Sequence, residues 1–85
     1  MRVLLIEDDQ QAVAYLLKAL REVGAVADHA ADGREGLLMA ASEDYDALIV
    51  DRMLPKVDGL SIIRTLRASG NRTPVLILSA LGEVN

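Results

Sequence analysis

The chain has 85 residues, 52% of them apolar, no cysteine and a formal net charge of −4, which describes one small domain at most. The missing cysteines exclude disulfides, thiolate metal sites and a cysteine nucleophile, and two tyrosines without Phe or Trp leave no stacking platform for single-stranded nucleic acid. The acidic balance argues against a phosphate-backbone partner. Apolar stretches fall short of the roughly 20 residues of a spanning helix, and the N-terminus lacks the basic start and long apolar run of a signal peptide. The expectation is a cytoplasmic domain with no direct nucleic-acid partner and no membrane partner. A chain this short buries only about 60–65% of its unfolded surface, so its stability is marginal unless a metal or a partner contributes.

The apolar period alternates along the chain. Arg2 to Ile6 is a short apolar run bounded by charge, which predicts a strand buried on both faces. From Asp9 to Val23 the period becomes helical, with Val13, Leu16, Leu17, Leu20 and Val23 on one side, Asp9 as the cap and Gly24 as the stop. Ala25 to Ala30 reads as a second strand, and Asp28 and His29 place it at an edge, with His29 at the surface. Asp32 and Glu35 form a capping box that opens a helix through about Ser42, presenting Leu37, Leu38 and Ala41. Ala47 to Val50 is a third buried strand ending on Asp51. Asp58 then caps a helix carrying Leu60, Ile63 and Leu66, closed by Gly70, and Val75 to Ser79 is a fourth strand. Tyr15 and Tyr45 are expected to pack with their hydroxyls at the surface. Arg64, Arg67 and Arg72 are expected on the polar face and end of the third helix.

Strands alternating with helices predict a parallel α/β sheet with helices on both faces. Ligands of such sheets bind beyond the carboxyl ends of the strands, which here carry Glu7, Asp8 and Asp9 after the first, Asp51 after the third and Ser79 after the fourth. If the first and third strands are neighbours, these carboxylates converge and repel one another unless a cation sits among them. Hard oxygen ligands of this kind suit Mg²⁺. A carboxylate beside such an ion can attack phosphorus to give an aspartyl phosphate, with Ser79 donating a hydrogen bond to the phosphoryl group.

The segments RVLLIEDD, ALIVDRMLPKVDG and TPVLILSA, in this order and spacing, closely resemble the receiver domain of two-component response regulators, particularly receivers that precede winged-helix DNA-binding domains. The resemblance implies a flavodoxin-like sheet in the order 2-1-3-4 and one receiver-like domain over residues 1–85. It makes Asp51 the phosphoacceptor and a metal ligand, Asp8 a direct Mg²⁺ ligand and Glu7 a ligand acting through water. Met53 would offer its backbone carbonyl to the ion, and Ser79 would follow the phosphoryl group. The implied donor is a phosphohistidine on a sensor histidine kinase or a phosphotransfer protein. An aspartyl-nucleophile phosphatase would need a second Asp two residues after Asp51, where Met53 stands, so a turnover enzyme is not expected.

The sequence stops after the fourth strand, before the helix, lysine-bearing strand and last helix of the resembled domain. Its only lysines are Lys18 and Lys56, neither in the position of that lysine. Two further expectations follow. One is a homodimer joined through the fourth-strand edge and the first helix. The other, an alternative to phosphoryl acceptance, is a phosphorylation-impaired truncated receiver serving as an oligomerisation or interaction module.

Overall fold

The computed structural model describes residues 1–78. It contains β1 (Arg2–Ile6), α1 (Gln10–Glu22), β2 (Val26–Ala30), α2 (Gly33–Ser42), β3 (Ala47–Asp51), α3 (Gly59–Ala68) and β4 (Val75–Leu78). All four strands pair in parallel in the order β2-β1-β3-β4, the flavodoxin-like order that the resemblance implies. Each helix opens on an aspartate. Asp9, Asp32 and Asp58 accept hydrogen bonds from the amides of Gln11, Glu35 and Leu60 at 3.1, 2.8 and 2.9 Å. Glu35 reaches back to the amide of Ala31 at 2.9 Å, so the capping box closes one residue before the cap itself. Gly24 and Gly70 end α1 and α3 in the left-handed region, φ +82° and +88°, where a side chain would be strained.

Side-chain alternation splits the sheet into two faces. Leu4, Ile6, Leu48 and Val50 point to the face covered by α2 and α3, where they join Ala40, Leu54, Ile62 and Leu66 in the core. Val3 and Leu5 are equally buried on the other face, where α1 lies against β2. No residue of α1 is fully buried: Leu16, Leu17 and Leu20 are half-buried, and Val23 is exposed. At the other sheet edge, Val75 and Ile77 of β4 pack onto the core while Leu76 is 60% exposed.

Two local expectations are corrected. Leu37 packs against the core as expected, but the buried residues of α2 are Gly33, Gly36 and Ala40, whereas Leu38 and Ala41 face solvent. The cause is proximity: a Cβ on Gly36 would lie 2.8 Å from Cγ1 of Ile6, so only a minimal residue fits between α2 and β1. Tyr45 is buried and its hydroxyl donates to Oδ2 of Asp28 at 2.7 Å. The Arg2 guanidinium lies 4.9 Å from the Tyr45 ring centroid and pairs with Asp28 and Glu43 at 3.0 and 2.8 Å. Arg67 stands in the last turn of α3, as expected, and donates to the carbonyls of Asn71 and Thr73 at 3.0 and 2.9 Å, fastening the α3–β4 turn.

Candidate functional site

β1 and β3 run side by side with Ile6 opposite Val50, so the residues that follow them emerge together at the carboxyl end of the sheet. Glu7, Asp8 and Asp51 each place a carboxylate oxygen within 4.8 Å of the others. Asp9 stands apart from this group as the cap of α1. Among the described residues, both ion pairs belong to Arg2 at the far end of β1, so no cationic side chain balances the three carboxylates. That donor set, all hard oxygens in excess of protein positive charge, suits a small divalent cation.

Glu7 is the buried member, 5% exposed. Its Oε2 accepts from the amides of Asp8 and Asp9, both at 3.1 Å. Burial pushes its carboxyl above the ordinary carboxylate range, the Asp9 amide opposes that rise, and the adjoining Asp51 charge adds to it. Two more contacts hold the Glu7 backbone. Its amide donates to the Ala30 carbonyl at 3.1 Å, and its carbonyl lies 2.8 Å from Nε2 of His29. His29 is exposed, as the sequence suggested; what the sequence did not give is its contact with the Glu7 carbonyl. The signal lay in the parallel register, since His29 sits opposite Leu5, two residues before Glu7.

Asp51 is half-buried, and its Oδ1 accepts the amide of Met53 at 3.0 Å. The Met53 side chain projects into solvent, 70% exposed, and it is the Met53 backbone amide that meets Asp51. The β3–α3 loop closes tightly, with the Gly59 amide donating to the Arg52 carbonyl at 3.0 Å. A Cβ on Gly59 would stand 2.5 Å from the Asp51 carbonyl oxygen, which explains a glycine at the start of α3. Lys56, at φ 69°, lines a groove of about 330 Å³ with Asp32, Gly33, Arg34, Pro55 and Val57, on the side of the loop that meets α2. The expected contribution of Ser79 lies outside the described residues.

Comparison with known proteins gives this site its context. The family model of the response regulator receiver domain matches residues 3–85. The chain is 48% identical over 84 residues to the probable transcriptional regulatory protein SilR of Salmonella typhimurium, an alignment that covers 99% of this chain and 37% of SilR. It thus spans little more than a third of the curated relatives it matches. Among solved structures, the receiver domain of the Francisella response regulator 1452 superposes with a TM-score of 0.90 at 35% identity, over 98% of this chain and 69% of that one. The Thermotoga maritima response regulator TrrA, in complex with Mg²⁺-BeF, superposes with a TM-score of 0.88 at 29% identity, over 93% of this chain and 69% of that one. With the parallel order, the carboxylate cluster and these likenesses together, the chain belongs to the response regulator receiver domain family.

Proposed function

We propose that this receiver domain, residues 1–85, is a cytoplasmic signalling module that accepts a phosphoryl group on Asp51 from a sensor histidine kinase or phosphotransfer protein, with Mg²⁺ as its cofactor. Asp8, Asp51 and the Met53 carbonyl would hold the ion directly and Glu7 through water, with Ser79 assigned to the phosphoryl group. The bound ion supplies charge neutralisation at the phosphoryl oxygens. Asp51 supplies the nucleophile: one carboxylate oxygen attacks phosphorus, an O–P bond forms, and the N–P bond of the phosphohistidine breaks with its electron pair passing to the imidazole, which takes up a proton. The Met53 amide, bonded to Oδ1 of Asp51 at 3.0 Å, orients that carboxylate. One phosphoryl group is taken up per chain, a stoichiometric event and not a turnover reaction.

The observation that carries this reading is the three-carboxylate cluster at the ends of neighbouring parallel strands, with no cationic side chain among the described residues to balance it. The TrrA complex with Mg²⁺-BeF supports both the ion and the phosphoryl chemistry, since beryllium fluoride is a tetrahedral stand-in for a phosphoryl group. Incubation with acetyl phosphate and Mg²⁺ should add one phosphoryl mass to the intact protein, and Asp51→Asn should remove that adduct. An unmodified wild-type protein would overturn the reading.

Self-association belongs to the same proposal. The sheet presents an apolar edge in β4, with Leu76 exposed, and α1 has no fully buried residue; both are surfaces a second copy can cover. Sedimentation at low micromolar concentration should give a dimer, and a folded monomer would sink this part alone.

A further inference from the structure

We propose that His29 is a positioning residue for the acidic site, holding by its Nε2–H the peptide that carries Glu7 into Asp8. The proposal rests on the metal-binding reading above and adds to it a residue from the neighbouring strand. A carbonyl oxygen only accepts, so the 2.8 Å contact between Nε2 of His29 and the Glu7 carbonyl requires the proton on Nε2. That carbonyl and the Asp8 amide belong to one planar peptide unit. The Asp8 amide donates to Oε2 of Glu7 at 3.1 Å, so the unit is gripped at both ends, by His29 on its oxygen and by the Glu7 carboxylate on its nitrogen.

The grip lies where the sheet stops helping. β1 ends at Ile6, and the last contact of β2 backbone with the acidic turn is the Glu7 amide to the Ala30 carbonyl. Beyond that bond, rotation of the Glu7–Asp8 peptide would swing the Asp8 side chain and free Oε2 of Glu7 from its amide donors. His29 removes that freedom from one side and Oε2 from the other. Groups that orient metal ligands in this way typically change metal affinity about 10–100-fold when removed. Nothing in the packing requires a histidine at this exposed position of β2, so its removal should spare the fold.

The test compares His29→Leu, which fills similar space without a donor, with His29→Gln, whose amide nitrogen stands at the same distance along the side chain as Nε2. Mg²⁺ affinity is read by calorimetry, and the Asp8 amide and Glu7 carbonyl resonances by NMR of the metal-free protein. His29→Leu should weaken Mg²⁺ about tenfold and shift both resonances, with a thermal midpoint within about 4 °C of wild type. His29→Gln should restore most of the affinity. If His29→Leu fails to fold, His29→Asn, whose amide stops one bond short, replaces it. Wild-type affinity in the donorless variant, or a glutamine variant as weak as it, overturns the positioning role while leaving the metal site standing. A wild-type protein that binds no Mg²⁺ overturns the metal reading and this proposal with it.

Discussion

Tyr45 and Asp28 show how one hydrogen bond sets two pH limits. The Tyr45 phenol, ahead of Arg2, holds the Asp28 carboxyl below its ordinary 3.8. Burial, and then the same bond, pushes the Tyr45 hydroxyl from 10.0 up to about 12. A depressed carboxyl contributes stability above its unfolded value and loses it as pH falls through the folded one. A raised phenol contributes fully below 10.0 and loses its share as pH climbs toward about 12. Tyr45→Phe should therefore cost about 1 kcal/mol at neutral pH, return the Asp28 carboxyl toward its ordinary range and flatten the alkaline limb. Urea unfolding across pH, with carboxyl NMR of Asp28, checks all three. This pair was not legible in the sequence, because a phenol and a carboxylate 17 positions apart meet only after β2 and β3 flank β1. The three carboxylates of the site were legible, because they stand one or two residues beyond the ends of apolar runs that a parallel sheet brings to a common rim. His29 escaped notice for a third reason: its partner is a backbone oxygen, and no pattern of side chains encodes that.

At the scale of elements, the sequence carried strand and helix order through its change of period and through Asp9, Asp32 and Asp58, each of which caps a helix. It misled on which side of α2 faces inward, because hydrophobicity ranks Leu38 above Gly36 whereas the narrow gap over Ile6 admits only the smaller residue. The expected outcomes are inverted accordingly. Gly36→Ala should destabilise by about 1–3 kcal/mol through overpacking against Ile6, whereas Leu38→Ala, at a position 65% exposed, should stay within about 0.5 kcal/mol. Chemical denaturation midpoints compare them directly, and equal effects would contradict the close approach of α2 to β1.

For the whole molecule, a net charge of −4 and an unbalanced knot of carboxylates make the fold responsive to cations. An ion that binds only the folded chain adds about 1.4 kcal/mol at ten times its dissociation constant, so Mg²⁺ should raise the thermal midpoint by several degrees. EDTA should reverse the gain, and NaCl at equal ionic strength should not reproduce it. Asp51→Asn should start from a higher metal-free midpoint, having lost one of three repelling charges, and gain less from Mg²⁺. The register of β1 against β3, Ile6 opposite Val50, also has a kinetic meaning. Glu7 and Asp51 are remote along the chain and meet only once those two strands have paired with a helix, a strand and another helix closed between them. Long-range closure of this kind is slow, so a divalent ion held by these carboxylates would find its ligands only in chains that have already paired β1 with β3. On the proposed reading, Mg²⁺ should slow unfolding more than it speeds folding, which stopped-flow unfolding and refolding with and without the ion would read.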